Sequence, residues 1–386
     1  MTARPSHRAQ VRCGVLFLGL PSLLGCGGSE PLDPRPPTSD GWYLPVLEEL
    51  DPTDRPSLLL PLPEGGLAES REGAKRGVEP DEFAYFRRTV SLPQTWKWPE
   101  HPSGEFVRSF GLLGIRLVSP VPQVRPDPLW LLTGDSHVDG VVDDSEVMGA
   151  LIQDQLRSSD VAEQAYVINA ACGFYSFPNY LGIATRFLRL EPDVFVLVVY
   201  GGNDFGALLP MQAELEGRPR PMRPPGYRER IQAALKLTFE DREGGPSLWQ
   251  GFNQLVAFAA NPESVDPTLE LALDYTRAIA ELADEAGTRL LVAYLPPAHD
   301  VEQSQLHAIH TAVADALELD AEALAATDRL ADRYLRRLAA LSIESVDLRP
   351  AFLASDAPLY WIADEHINIE GHRLLAEVVL EAVERR

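Results

Sequence analysis

The chain is poor in cysteine and in basic residues. Three cysteines occur among 386 residues, and 34 lysines and arginines face 57 acidic residues, which gives a net charge of −23. Because binding to a phosphate backbone requires clustered positive charge, nucleic acid is not an expected partner. The same acidity disfavours electrostatic attachment to anionic lipids. No internal repeat is present, so a repeat architecture is not expected.

Residues 1–26 have the pattern of an export signal. Three arginines precede an apolar core at residues 15–24, which is too short to span a bilayer. The segment ends in Leu-Leu-Gly-Cys26, which resembles the bacterial lipobox. The resemblance implies that Cys26 is lipidated and begins the mature chain, anchored to a membrane of the cell envelope; an ordinary signal peptide is the alternative. With Cys13 removed and Cys26 acylated, Cys172 has no partner for an intrachain disulfide.

The rest of the chain divides by composition. Residues 27–79 are rich in proline, which predicts an extended, poorly packed tether. Residues 80–128 mix aromatic residues with proline, which predicts short strands or an irregular lead-in. The main domain is expected over 129–386, with a long insertion at 205–265 that is either a lid over the site or a surface elaboration.

From residue 129 onward, predicted strands alternate with predicted helices. The strands are expected at 129–133, 165–169, 194–200, 289–295 and 343–347. The helices are expected near 145–158, 178–190, 226–242, 267–286, 320–340 and 369–385. This alternation predicts the α/β class: a three-layer structure in which helices flank a parallel sheet, preceded by an N-terminal extension. In such sheets, ligands bind beyond the carboxyl ends of the strands.

Polar blocks at three such positions can form a nucleophilic site. Ser136 follows the first strand in the block Gly-Asp-Ser-His, and Asn203 follows the third strand. His366 and Asp364 precede the last helix. A serine is a poor nucleophile unless an oriented base removes its proton and donors stabilise the oxyanion. We therefore predict Ser136 as the nucleophile, His366 as the base and Asp364 as the residue that orients it.

The predicted oxyanion donors are the backbone N–H groups of Ser136 and Gly173 and the side-chain amide of Asn203. Cys172 is expected to be a small buried packing residue. Four other histidines are expected on loops or helix surfaces, namely His299, His307, His310 and His372.

Four blocks in this order resemble the SGNH (GDSL-type) hydrolase superfamily. They are the nucleophile block 134–136, the strand leading to Gly173, the block Gly-Gly-Asn-Asp at 201–204, and the block Asp-Glu-His at 364–366. The resemblance covers roughly residues 115–386. It implies a flavodoxin-like fold, a serine esterase activity without metal or organic cofactor, and the site residues named above.

Two positions depart from the family pattern. His137 stands where the family usually has leucine or a similar residue. The family's common Asp-x-x-His spacing is here Asp-x-His, as in branches that act on exopolysaccharide acetyl groups. Glu365 therefore remains an alternative to Asp364 as the partner of His366.

The expected function is hydrolysis of small acyl esters, with acetyl groups on carbohydrate as one substrate class. An O-acyltransferase with the same triad and an inactive, tethered glycan-binding module are the alternatives. A metal-dependent phosphoesterase is a further rival, because Asp135, His137 and Asp139 lie close together in sequence. The expected partners are a small-molecule or glycan ester and, through the N-terminal lipid, a membrane.

Overall fold

The computed structural model describes most of the chain from residue 42 onward. The described residues are 42–48, 50, 55–64, 66–67, 77–158, 163–220, 226, 229–230, 233, 249–301 and 305–385. The export signal and Cys26 lie outside these residues, as does most of the helix expected at 226–242. Within the described part, no helix is both long and apolar enough to cross a membrane.

Five parallel strands form the central sheet. They are β5 (Leu129–Thr133), β6 (Tyr166–Asn169), β7 (Val194–Tyr200), β8 (Arg289–Leu295) and β9 (Ser345–Asp347). Their order is β6-β5-β7-β8-β9, and each neighbouring pair is parallel. This is the flavodoxin-like order, in which the direction of winding switches between β5 and β7. The sequence-based prediction of a parallel α/β sheet is confirmed.

Helices cover both faces of this sheet, because alternate residues of each apolar strand point to opposite sides. One face packs against helices α4 (Phe177–Phe187), α5 (Asp204–Leu215), α7 (Val265–Glu285) and α11 (Ala326–Ala340). The other face packs against α3 (Met148–Ser158), α8 (Ala298–Val301), α9 (Gln305–Ala316), α12 (Arg349–Leu353) and α13 (Ile369–Glu384). The remaining helices are α1 (Leu44–Glu48), α2 (Ser136–Asp139), α6 (Trp249–Ala260) and α10 (Ala321–Leu324).

Two antiparallel hairpins precede the sheet, as the aromatic lead-in predicts. The first pairs β1 (Val78–Asp81) with β2 (Tyr85–Arg88). The second pairs β3 (Ser91–Lys97) with β4 (Glu105–Phe110). Isolated bridges then link Phe110 to Arg116 and Arg116 to Asn169, so the second hairpin leads directly into the edge of the central sheet.

The expectation of a poorly packed tether is wrong for its described part. Five apolar side chains between residues 42 and 67 are buried in the core beside α4 and α7: Tyr43, Leu44, Leu47, Leu59 and Leu67. Proline limits hydrogen bonding and helix length but does not prevent apolar side chains from being buried. This segment therefore belongs to the folded domain.

The helix predictions need two further corrections. The helix expected at 320–340 is divided in two, because Ala325 ends α10 and α11 begins at the next residue. The insertion at 205–265 begins and ends with helices that were not predicted there, α5 and α6. Between residues 221 and 248 only four positions are described, so the lid remains a prediction.

A buried carboxylate joins the lead-in to the central domain. Asp139 ends α2, and its side chain is 1% exposed. Its Oδ1 lies 2.6 Å from Nη2 of Arg108, and its Oδ2 accepts from Nε of Arg88 at 3.0 Å. Burial alone would raise the pKa of Asp139, but the two guanidinium groups hold it far below the usual range. Nearby, Arg116 pairs with Asp144, which is more exposed.

We expect Asp139→Asn to destabilise the fold strongly, because it leaves Arg88 and Arg108 buried without their anion. The cost at neutral pH should be roughly 3–5 kcal/mol. The lowered pKa of Asp139 stabilises the fold fully above the pKa of an aspartate in the unfolded chain. This stabilisation is lost progressively as pH falls from that value through the folded-state pKa. The difference between variant and wild type should therefore shrink in acid.

Urea unfolding at several pH values measures this effect. Asp144→Asn is the matched control, since the Asp144 side chain is 19% exposed and Arg116 also donates to the carbonyls of Gly140 and Val142. An equal loss of unfolding free energy in Asp139→Asn and Asp144→Asn would contradict the role given to Asp139.

Candidate active site

Ser136 sits at the turn between the first central strand and the helix that follows it. A Cβ atom on Gly134 would lie 2.5 Å from Cγ2 of Val138 and 3.1 Å from the carbonyl oxygen of Val198, so this turn requires glycine. Asp135 caps α2, because its Oδ1 accepts from the N–H of His137 at 2.9 Å. Ser136 is therefore not needed as the helix cap, and its half-buried side chain is available for chemistry.

Gly173 lies directly beside Ser136. It follows β6, and a Cβ atom on it would lie 3.6 Å from Cβ of Ser136 and 3.2 Å from Nη2 of Arg88. The next residue, Phe174, has a positive φ of 72° and is 42% exposed. The predicted oxyanion glycine therefore lies next to Ser136. Its role as a donor to the oxyanion stays a prediction.

Asp364, not Glu365, orients His366. The Nδ1 atom of His366 lies 2.7 Å from Oδ2 of Asp364, and the backbone N–H of His366 donates to Oδ1 at 3.1 Å. The Oε1 atom of Glu365 lies instead 2.7 Å from Nε2 of His310. With Nδ1–H directed at a carboxylate, Nε2 of His366 is the acceptor nitrogen that a general base requires.

The acceptor nitrogen of His366 is buried and has no hydrogen-bond partner among the described residues. The residues on both sides of Ser136 contact or influence this histidine. The ring of His137 lies 4.9 Å from that of His366, and the charge of Asp135 acts on His366 as well. The fold therefore brings His366 into contact with His137, the residue that follows Ser136, although the two segments are far apart in sequence.

Ser136 and His366 are not hydrogen-bonded to each other in this structure. Ser136 Oγ lies 3.5 Å from Oδ2 of Asp135, the outer limit of a hydrogen bond. Catalytic hydrogen bonds are often long or absent without substrate and tighten when it binds. Rotation about χ1 of Ser136 is the movement needed to direct Oγ away from Asp135.

The electrostatics of the site favour a base that is readily protonated. Burial lowers the pKa of His366, but Asp364, and more weakly Asp135, outweigh it, so the pKa lies above its usual 6.5. Burial also raises the pKa of Asp135 to about 6, against the stabilising hydrogen bonds from the His137 N–H and the Asn203 side chain. Asp135 is thus ionised near neutral pH and adds to the negative field at His366.

Asn203 is placed by the end of β7 and the start of α5. Its side chain bonds to Asp135, and an amide nitrogen carries two N–H donors, so this contact is compatible with a role as an oxyanion donor. The following residue, Asp204, accepts at Oδ2 from the hydroxyl of Tyr180 and the N–H of Tyr200, both at 2.8 Å. Burial and the nearby Asp135 carboxyl raise the pKa of Asp204 well above the usual range, and its two hydrogen bonds help to fix the turn.

Cys172 is a packing residue. It is 1% exposed, and burial raises the pKa of its thiol to about 12. A thiol that remains protonated at neutral pH is a poor nucleophile. The expectation for this cysteine is confirmed.

The proposed metal ligands of the phosphoesterase rival have other partners. Asp135 caps α2, Asp139 pairs with two arginines, and Nδ1 of His137 accepts from the N–H of Ile367 at 3.2 Å. Among the described residues, no three His, Cys, Asp or Glu side chains converge as a metal site would need. The contacts favour the serine mechanism over the rival.

Sequence reasoning missed several buried polar contacts. His372 was expected on a surface but is fully buried, and its Nδ1 accepts from the N–H of Met148 at 3.3 Å. The side chains of His299 and His310 are also buried, at 4% and 7% exposure, so the surface expectation is wrong for them too. The one signal in the sequence was the unusual histidine at 137, which stacks on Tyr200 with ring centroids 3.8 Å apart.

Several solved structures resemble the chain at low sequence identity. The acetyl xylan esterase AlAXEase is 17% identical, with a TM-score of 0.33 over 66% of this chain and 99% of that chain. TesA is 13% identical, with a TM-score of 0.37 over 67% and 98% of the two chains. A catalytic mutant of Axe2, an acetylxylan esterase from Geobacillus stearothermophilus, is 12% identical, with a TM-score of 0.38 over 68% and 96%.

No protein-family model matches the chain, and no curated protein matches it in sequence. The structural similarities above are too distant to define an activity. Three features of the chain itself agree with the resemblance stated from the sequence: the order of the motif blocks, the strand order of the sheet and the contact between Asp364 and His366. On these features, the chain resembles the SGNH hydrolase superfamily.

Proposed function

We propose that this protein is a serine esterase that hydrolyses small acyl esters, with O-acetylated carbohydrate as its substrate class, from a lipid anchor in the cell envelope. One observation supports the chemistry above all others. His366 is oriented by Asp364 and packs against His137, the residue after Ser136, and its acceptor nitrogen is buried without a partner among the described residues. Such an arrangement is suited to removing a proton from a serine hydroxyl.

In the first half-reaction, Nε2 of His366 takes the proton of the Ser136 hydroxyl as Oγ attacks the ester carbonyl carbon. The N–H groups of Ser136 and Gly173 and the Asn203 amide stabilise the oxyanion. When the tetrahedral intermediate collapses, the bond to the alcohol oxygen breaks. His366 returns its proton to that oxygen, so the alcohol leaves neutral and the acyl group remains on Ser136.

In the second half-reaction, His366 removes a proton from water, and the resulting hydroxide equivalent attacks the acyl-enzyme. Collapse releases the carboxylic acid, and the proton on His366 returns to Oγ of Ser136. If a sugar hydroxyl replaced water, the same steps would transfer the acyl group. Transferase activity is therefore a distinguishable outcome of the same assay.

The rim of the site supports a carbohydrate ester. Phe174 follows the oxyanion glycine and exposes 42% of its surface, an apolar aromatic face beside the nucleophile. Aromatic side chains with one exposed face are suited to packing against partly apolar ligands such as sugar rings. The acidic surface, with a net charge of −23, disfavours strongly anionic substrates.

We expect Ser136→Ala to abolish both turnover of p-nitrophenyl acetate and labelling by a fluorophosphonate. The measurement uses the chain from residue 27 onward, in EDTA, with an O-acetylated xylooligosaccharide as the second substrate. Activity in EDTA agrees with a mechanism that needs no metal. A wild type that neither turns over nor labels, yet binds the oligosaccharide, would support the inactive binding module instead.

We expect Asp364→Asn to lower kcat on the order of 10⁴-fold, because an amide favours the wrong tautomer of His366. Glu365→Gln is the matched control and should be mild, since a glutamine oxygen can still bond to His310.

The base must be neutral, so wild-type activity should rise with pH through a midpoint above 6.5. The residual activity of Asp364→Asn should rise with pH through a lower midpoint, because the carboxylate that raises the pKa of His366 is gone. Similar losses of kcat in Asp364→Asn and Glu365→Gln would contradict the assignment of Asp364 as the partner of His366.

The anchor rests on the lipobox resemblance at Cys26. We expect the wild type, expressed in a bacterial host with its own leader, to incorporate radiolabelled palmitate and to sediment with membranes. Cys26→Ser should lose the label, because the acyl acceptor is absent, while a Cys172→Ser variant should keep it. A labelled Cys26→Ser protein would refute the anchor.

A further inference from the structure

We propose that His137 is a positioning residue that holds the loop bearing His366, so that base and nucleophile keep a fixed separation. This inference rests on the proposed function, because it assigns a role within that site. His137 is covalently next to Ser136, and it contacts His366 and its neighbour Ile367.

A hydrogen bond ties His137 to the backbone of the base loop. Nδ1 of His137 accepts from the N–H of Ile367 at 3.2 Å, and the imidazole is fully buried. Because a buried N–H that loses its acceptor is left unsatisfied in a place that water does not reach, this bond restrains the loop. Since Ile367 directly follows His366, the restraint acts one residue from the base.

Ring packing provides the second contact. The ring of His137 lies 4.9 Å from that of His366 at an interplanar angle of 36°, and 3.8 Å from that of Tyr200 at 35°. Tyr200 ends β7 and is itself buried, so it gives His137 a rigid support. The ring of His366 is thus packed against His137, which is itself supported by a residue of the central sheet.

The hydrogen bond also fixes the chemical state of His137. A nitrogen that accepts carries no proton, so His137 is the neutral tautomer with its proton on Nε2. Protonating Nδ1 would break the bond to Ile367 and place a positive charge beside His366, which becomes a cation during the reaction. His137 therefore acts as a neutral spacer and not as a second base.

The backbone of His137 is also held in place, by a hydrogen bond to Asp135. The backbone N–H of His137 donates to Oδ1 of Asp135 at 2.9 Å, which fixes the residue at the start of α2. A single residue thus connects the nucleophile turn to the base loop. A leucine at this position would supply packing without the hydrogen bond.

Two substitutions separate the contacts. His137→Asn keeps an acceptor near the position of Nδ1 but removes the ring, whereas His137→Phe keeps a ring and removes the acceptor. We expect His137→Phe to lower kcat by about 100-fold with KM unchanged, as a misplaced catalytic group does. His137→Asn should recover most of that loss.

The readout that does not depend on turnover is amide hydrogen exchange of the full-length chain in detergent, followed in the peptide containing residues 361–373. Exchange at Ile367 should quicken in His137→Phe and stay near wild type in His137→Asn. His372→Phe is the matched control. It removes the same kind of bond, from the Met148 N–H, and should lower the melting temperature while leaving kcat intact.

The outcomes separate the two proposals. Unchanged exchange at Ile367 in His137→Phe, or faster exchange with unchanged kcat, overturns the positioning role. An equal loss of kcat in His137→Phe and His372→Phe also overturns it, because the effect would then be general destabilisation. A wild type without fluorophosphonate labelling refutes the esterase proposal, while the exchange data still decide whether His137 holds the loop.

Discussion

The buried carboxylate of Asp139 is the interaction on which the arrangement of the site depends. It lies between Arg88 of the lead-in and Arg108 of the second hairpin, and it ends the short helix that begins with Ser136. Because the carboxylate and both guanidinium groups are almost fully buried, none can be removed without leaving a charge uncompensated. The helix that begins with Ser136, Gly173 beside Arg88 and the N-terminal hairpins are therefore held as one unit.

The sequence predicts the central sheet and the contact between Asp364 and His366 well, for physical reasons. Runs such as 194–200 are apolar throughout because both faces of a parallel sheet are covered, and this pattern is local in sequence. Asp364 and His366 are two residues apart, so their contact is also local. The contacts that could not be predicted join residues far apart in the chain, such as Asp139 with Arg88 or His137 with Ile367. The spacing of residues in the sequence contains no information about such pairs.

The same reason explains the errors at the tether and the histidines. Proline content indicates where regular structure is unfavourable, but burial of Tyr43 and Leu59 depends on the surface offered by helices far along the chain. A histidine flanked by polar residues is predicted to lie at the surface, because a partner that is distant in the chain cannot be recognised from the local sequence. The burial of His372 is compensated by a hydrogen bond from the backbone N–H of Met148 at the start of α3. The burial of His310 is compensated by its contact with the carboxyl group of Glu365.

Two buried carboxyl groups near the site have raised pKa values. Burial and the nearby carboxyl of Asp135 raise the pKa of Asp204 well above the usual range. Asp135 has a pKa raised to about 6 and reinforces Asp364 at His366 only when ionised. As pH falls through 6, Asp135 becomes neutral and its support for the imidazolium weakens. Part of the negative field that raises the pKa of His366 is then lost, so Asp135 acts with Asp364 in setting the protonation state of the base.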